Sequence, residues 1–348
     1  RLSEENYYFK ASAFTVPITQ ALESGKMKIV PDFRRKEFLE LIKDGLQDVS
    51  VSRPAKNLAW GVPVPNDPSQ VMYVWLDALS NYLTVLGYPN DPLWQDFWPA
   101  DVQVVGKDIL RFHAGIWPAM LLGLDLPLPK VLLVHGHITS GGVKMAKSLG
   151  NGIDPMEILR DYGVDAFRYY FLRYIPTQDD GDFTWERFEA AYNGELGNDL
   201  GNLVQRVIAM TLKYQAGVVG DLPPNRHDMG PYREAMESFE FNRAIDEVWV
   251  MVRSLNQYID RVKPWEVAKN RETDTDAEAH LAEILSTSAG ALLQIAELLA
   301  PFLPETSRKI KTAFSSSVVP NDFQPLFPKI YLHTEDQRAS KSAELPSK

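Results

Sequence analysis

Two lysines three positions apart, Lys144 and Lys147, stand in the segment Lys144-Met145-Ala146-Lys147-Ser148, between Gly141-Gly142-Val143 and Leu149-Gly150-Asn151. On its own, such a pair on a glycine-flanked loop describes a solvated surface. Its surroundings point further: the apolar run Val131–Val134 precedes it, and Asp154-Pro155 after it opens a helix. Two ammonium groups on a loop of this kind can close on a polyphosphate and neutralise charge as it develops there. That work is electrostatic and needs no side-chain nucleophile.

Other groups share this character. His135-Gly136-His137 begins nine residues before Lys144, and with no cysteine and no further histidine nearby it is a poor metal site. Trp75, Phe112 and Trp117 are each ordinary core residues taken singly. Asn198, Asn202 and Arg206 recur at i, i+4 and i+8, which places them on one helix face. A polar face is normally a helix's wet side, yet two amides and a guanidinium in register can also read the edges of unstacked bases. Pro264-Trp265 offers a rigid indole as a stacking platform for such a base.

Elements that could position these groups follow from the apolar pattern. Helices are expected near Pro17–Ser24 and Arg35–Asp44, a strand near Val49–Val51, and a loop over the three-proline stretch Gly61–Ser69. Buried strands are expected at Val71–Leu76, Val102–Val105 and Val131–Val134, with helices starting at Asn81 and running from Ile109 to Leu122. Strands alternating with helices imply a parallel sheet with ligands at its carboxyl ends. Beyond Trp185 helical periodicity takes over, in Phe188–Tyr214, Gly230–Val262 and Asp276–Phe302, so a helical bundle is expected there. The final residues from His333 lose that periodicity and read as a disordered tail.

Composition sets bounds. The chain has 348 residues, 45% hydrophobic and 24% charged, enough for two domains with cores. With no cysteine it has no disulfide, thiolate nucleophile or cysteine zinc site. No apolar run reaches the roughly 18 residues that span a bilayer, the first residues do not read as a signal peptide, and the cytoplasm is the expected location. The 36 basic against 46 acidic residues give a net charge of −10, which argues against indiscriminate nucleic-acid binding but leaves room for a local, shape-selective RNA site.

The lysine segment resembles the KMSKS loop of class I aminoacyl-tRNA synthetases, with Ala146 in place of the first serine. Tyr73-Val74-Trp75-Leu76-Asp77-Ala78 and Gly106-Lys107-Asp108-Ile109 through Phe112-His113 and Trp117-Pro118 resemble the two methionine-pocket segments of methionyl-tRNA synthetases. The asparagine/arginine helix and Pro264-Trp265 are similar to that family's anticodon reader. The resemblance implies an α/β Rossmann-type nucleotide-binding half in residues 1–143, a KMSKS-like loop and stem-contact region in 144–190, and an α-helical anticodon-binding domain in 191–332, followed by the tail 333–348. It further implies a methionine–tRNA ligase that makes methionyl-adenylate from methionine and ATP with Mg²⁺ and passes methionine to tRNA(Met). Lys144 and Lys147 would then act on the leaving pyrophosphate. Gly106, Asp108, His135, Gly136 and Ile138 would bind ATP with them. Trp75, Ala78, Leu79, Tyr82, Ile109 and His113 would line the methionine pocket, Leu79 standing where many members have proline. A thioether suits an aromatic wall, and Tyr82 or His113 would supply the polar contact to sulfur. Asn198, Asn202, Arg206, Pro264 and Trp265 would read the anticodon.

The family's HIGH motif and its zinc-bearing insert are absent from these 348 residues. The chain therefore reads as an incomplete catalytic unit, inactive alone, with the missing N-terminal half of the enzyme as a partner. Rival readings are a class I synthetase for leucine, isoleucine, valine or cysteine, against which the Trp75/Tyr82/His113 set and Pro264-Trp265 argue, and a non-catalytic tRNA-binding module.

Overall fold

The computed structural model describes residues 5–58, 60–145, 152–222, 228–315 and 318–330. Lys147, Ala146 and the tail from His333 lie outside the described residues. The chain divides into two compact units, Arg1–His137 and Ile138–Lys348.

The first unit runs β1 (Tyr8–Phe9), α1 (Thr15–Glu23), β2 (Lys28–Val30), α2 (Asp32–Leu41), β3 (Val49–Ser50), β4 (Ser52–Pro54), β5 (Pro63–Val64), β6 (Asp67–Met72), α3 (Val74–Thr84), α4 (Trp94–Phe97), β7 (Val102–Gly106), α5 (Trp117–Gly123) and β8 (Val131–His135). Its centre is a parallel sheet in the order β2-β8-β7, with Val131 paired to both Lys28 and Val102. Leu132, Leu133 and Val134 of the middle strand are all buried, which is why that strand is an unbroken apolar run.

Two expectations fail here. The run Val71–Leu76 is not one strand, because β6 ends at Met72 and α3 begins at Val74. Trp75, Leu79, Tyr82 and Leu83 all pack in this unit's core, and their spacing of four, three and one is helical. That period overrides the β-rich composition of Tyr73–Leu76. The helix thus begins seven residues before Asn81, and the third strand of the parallel sheet is β2. The three-proline stretch is not a plain loop either: β5 pairs antiparallel with β6 across Pro65-Asn66, with Asn66 at φ 66°. Pro63 opens its strand and Pro65 occupies the turn, places where a missing N–H removes no ladder bond. The helical stretch from Ile109 also changes pitch, winding as a π-helix over Phe112–Ile116 before α5. Pro118 cannot donate to residue 114, which favours the wider turn at that point.

The second unit runs β9 (Ile138–Ser140), β10 (Val143–Lys144), α6 (Pro155–Tyr162), α7 (Val164–Arg173), β11 (Gly181–Phe183), α8 (Trp185–Ala191), α9 (Asn202–Gln215), α10 (Gly230–Glu237), α11 (Phe241–Val262), α12 (Pro264–Lys269), α13 (Ala277–Leu299) and α14 (Pro304–Ser315). Asp154 caps α6, its carboxylate accepting the Met156 N–H at 2.9 Å. Helix α7 locks the α13–α14 corner from two sides. Buried Asp165 accepts the N–H groups of Thr306 and Glu305 at 2.6 and 3.3 Å, capping α14, and Arg168 donates to the carbonyls of Pro301 and Phe302.

Between α8 and α9 the residues Tyr192–Gly201 are π-helical, so Trp185–Gln215 is one helix with a loosened middle. A Cβ on Gly201 would lie 3.0 Å from the Leu196 carbonyl oxygen, so only glycine fits there without a shift. The expected helix Gly230–Val262 is broken at Ser238–Glu240, where Phe239 takes φ 59°. Helix α13 is long and apolar enough to cross a bilayer by length and composition, contrary to the expectation from apolar runs. Leu281, Leu285, Leu292 and Ile295 of that helix are buried in the bundle core instead.

Candidate functional site

In the first unit the carboxyl ends of β7 and β8 lie side by side, Gly106 paired with His135. A Cβ on Gly106 would stand 2.8 Å from Asp108 Oδ1 and within 3.9 Å of the His135 ring. The glycine lets the carboxylate and the imidazole close over the strand end. His137 brings Nε2 to 3.5 Å from Asp108 Oδ1. Four sequence-selected positions, Gly106, Asp108, His135 and Gly136, thus meet where an open parallel sheet offers a ligand crevice. Asp108 and His135 are exposed and Gly136 is buried.

Beside that edge, α3 and the π-helical turn assemble an aromatic group. Trp75 and Phe112 stack face to face, centroids 4.0 Å apart and planes at 13°. His113 meets Trp75 and Tyr82 edge-on at 6.2 and 5.7 Å. Tyr82 also packs on Trp117. The polar link is fixed in direction. His113 Nδ1 lies 3.1 Å from the Ile109 carbonyl oxygen, which can only accept, so Nδ1 carries the proton. His113 Nε2 is then an acceptor, and the Tyr82 hydroxyl, 3.0 Å away, donates to it. Burial pushes the His113 imidazolium below its ordinary range, with the Ile109 bond acting against that, and burial also raises the Tyr82 phenol. Of the remaining pocket candidates, Ala78 is exposed, Ile109 is half-buried and Leu79 is 1% exposed, packed in the core. Phe112, weighed from sequence only as packing, is the residue that closes on Trp75.

In the second unit, β9 and β10 form a two-residue hairpin: Ser140 pairs with Val143 and Thr139 with Lys144. Its turn is Gly141-Gly142, with φ 60° and 76°. Two consecutive left-handed residues make the turn that matches the twist of paired strands, and glycine takes it without strain. Lys144 is exposed on β10. Ile138 is the first residue of β9 and partly exposed.

The bundle carries the third group. Asn198 and Asn202 are exposed and Arg206 half-buried on the helix around α9. The Arg206 guanidinium donates to Asp260 Oδ1 at 2.9 Å and to the Asn256 carbonyl at 3.4 Å. That ties α9 to the end of α11, four residues before Pro264. Pro264 is buried at the start of α12, after Lys263 at φ 46°, and Trp265 is half-buried against the bundle core. The asparagine-bearing helix is therefore tied to the end of α11, the helix that Pro264-Trp265 follows in the chain.

Residues 2–208 match the family model described as tRNA synthetases class I (M), and residues 231–342 match the anticodon-binding domain of tRNA ligase. The methionine–tRNA ligase of Enterococcus faecalis is 45% identical over 327 residues, covering 89% of this chain and 48% of the relative. That of Streptomyces coelicolor is 44% identical over 322 residues, covering 89% and 59%. Among solved structures, Mycobacterium tuberculosis methionyl-tRNA synthetase bound by methionyl-adenylate superposes with a TM-score of 0.86 at 32% identity, covering 93% of this chain and 69% of that one. The chain spans about half the length of the curated relatives it matches.

Proposed function

The chain belongs to the class I tRNA synthetase family of the methionine type, and on that premise we propose that the protein carrying it activates methionine with ATP and transfers it to tRNA(Met). The observation that carries the reading is the Tyr82–His113 hydrogen bond beside the Trp75–Phe112 stack. An aromatic group with one oriented polar pair suits an unbranched thioether better than a branched aliphatic side chain.

In this reading the methionine carboxylate attacks the α-phosphorus of ATP, forming the acyl–phosphate bond of methionyl-adenylate as pyrophosphate leaves. A tRNA hydroxyl then takes the methionyl group and AMP departs. Lys144 and Lys147 stabilise the charge on the departing pyrophosphate. Gly106 leaves room for the nucleotide at the strand end, Asp108 accepts hydrogen bonds from ribose hydroxyls, and His135, Gly136 and Ile138 line the adenosine. Trp75, Ala78, Leu79, Tyr82, Ile109 and His113 form the methionine pocket. Leu79 acts from beneath it, as a packed support for α3. Mg²⁺ supplies charge neutralisation on the triphosphate; ions of this kind are held largely by substrate phosphates, with one or two carboxylates, and Asp108 is the carboxylate nearest that strand end.

Asn198, Asn202, Arg206, Pro264 and Trp265 read the anticodon, the amides and guanidinium by base edges and the indole by stacking. The functional parts proposed are residues 1–143 for the nucleotide-binding half, 144–190 for the lysine loop and stem contact, and 191–332 for anticodon binding. A polypeptide that also supplies the first half of the nucleotide-binding domain completes the site, and a translation enzyme of this type works in the cytoplasm.

Methionine-dependent ATP–pyrophosphate exchange by the full-length protein tests the proposal. Exchange with methionine and no other amino acid is the expected result. Exchange with leucine, isoleucine, valine or cysteine instead would reassign the pocket. Silence with every amino acid, from folded protein, would turn the reading to a non-catalytic tRNA-binding module.

A further inference from the structure

Asp182 lies 38 residues beyond Lys144 in the chain and next to its hairpin in space. Strand β11 runs parallel to β9 with Asp182 opposite Thr139, and Thr139 is opposite Lys144 on β10. Asp182, Thr139 and Lys144 thus form one cross-strand row, with their side chains on one face of the small sheet. Asp182 Oδ1 accepts the Thr139 hydroxyl at 2.7 Å and the Gly142 N–H at 2.8 Å. These two bonds, the Gly142 one first, hold the Asp182 carboxyl below the usual carboxylate range.

The Gly142 bond matters most. In a two-residue hairpin of this type the N–H of the second turn residue is not used by the strand ladder. Here it is taken by a carboxylate from a third strand. Nothing in the described residues comes within 4 Å of where a Cβ on Gly141 or Gly142 would stand, and Val143 is 52% exposed. The tip of the hairpin is therefore unpacked, and among the described residues both side-chain bonds of Asp182 go to this hairpin. The Thr139 hydroxyl, which also reaches the Gly181 carbonyl at 3.2 Å, completes the tie.

We infer that Asp182 is the positioning residue for Lys144: by bonding the Gly142 N–H and the Thr139 hydroxyl it fixes the turn and register of the hairpin from which that lysine projects. A flexible ammonium stem is useful in catalysis only when its base is held where the charge will develop. The inference rests on the activity proposed above, in which Lys144 acts on pyrophosphate.

Two measurements on the full-length protein test it. The first is amide hydrogen exchange at Gly142 in the wild type, Asp182→Ala and Asp182→Asn. A charge-assisted bond of this kind corresponds to roughly a tenfold or larger change in an opening equilibrium. Exchange at Gly142 should accelerate by about that factor in Asp182→Ala and less in Asp182→Asn, which keeps an acceptor oxygen. Equal exchange in all three overturns the anchoring. The second is methionine-dependent pyrophosphate exchange for Asp182→Ala, Lys144→Ala and the double variant. If Asp182 acts through Lys144, Asp182→Ala lowers kcat, leaves KM for methionine unchanged, and adds little once Lys144 is gone. A merely structural role would give multiplying effects or move the methionine KM, and either result overturns the inference. A wild type with no exchange under any amino acid refutes the proposed activity and with it the catalytic role of the anchor, while the Gly142 measurement still decides whether Asp182 holds the hairpin.

Discussion

His113 is predicted to remain neutral in the folded protein at pH values where a free histidine is protonated. It is 3% exposed, donates from Nδ1 to the Ile109 carbonyl and accepts the Tyr82 hydroxyl at Nε2. A proton added at Nε2 would have to displace the Tyr82 hydrogen, in a setting where burial already lowers the imidazolium pKa from 6.5. The sign follows from linkage: below 6.5 the unfolded chain binds a proton that the folded chain refuses, so stability falls as pH drops from 6.5 toward the lower folded value. The loss between pH 7.5 and 5.5 is bounded at about 1.4 kcal/mol, the most that one group with a reference value of 6.5 can contribute over that interval. Two readouts check this. Imidazole NMR, with His113→Gln identifying the signal among the six histidines, should show the Nδ1–H tautomer and a midpoint below 6.5. Urea unfolding at the two pH values should show the wild type losing more stability than His113→Gln, by no more than about 1.4 kcal/mol. A His113 midpoint at or above 6.5, or equal losses in the two proteins, would refute the assignment of donor and acceptor in the Tyr82–His113 pair.

Other outcomes follow from the bundle. Asp165→Ala removes both acceptors at the start of α14 and leaves two N–H groups short of partners. It should cost about 3 kcal/mol in urea unfolding, with Asp165→Asn costing less because one oxygen is kept; a loss under 1 kcal/mol would mean that water caps the helix as well. Trp265→Ala should weaken charging of tRNA(Met) by about 1–3 kcal/mol, the range for loss of one stacked base, while leaving amino-acid-dependent pyrophosphate exchange unchanged. Because Trp265 also packs against the core, Trp265→Phe separates the roles: it keeps an aromatic face and should retain most charging, and equal losses in both variants would point to packing alone.

Much of the architecture was legible because the period of apolar residues is a local property. Val102–Val105 and Val131–Val134 are neighbouring parallel strands, and the helical stretches beyond Trp185 pack into one bundle. The misreadings also have local causes. Tyr73–Leu76 has the composition of a strand, and only the wider spacing of Trp75, Leu79, Tyr82 and Leu83 reveals a helix. Prolines in Gly61–Ser69 were weighed as breakers, although an edge strand accepts proline where no ladder bond is lost. The π-helical middle of Trp185–Gln215 is written in Gly194, Gly197 and Gly201, whose spacing of three and four also fits an ordinary helix face.

The site was legible where a motif gathers its chemistry within ten or so residues, and illegible where topology does the gathering. Lys144 can be chosen from Gly141 to Ser148 read with the apolar run Val131–Val134 before it and Asp154-Pro155 after it. Asp182 cannot, because its two partners lie 40 and 43 residues upstream, across a crossover of two helices that a parallel pairing of β9 and β11 requires. The same holds for Arg206, whose partner Asp260 is 54 residues away. In each case the residue first seen is a cation in a recognisable segment, and the residue missed is the carboxylate that steadies it. Carboxylates of that kind follow no pattern of their own. Their place is set by which strand or helix pairs with which, so they become visible only when the parallel register of Asp182 with Thr139, or the packing of α9 on α11, is known.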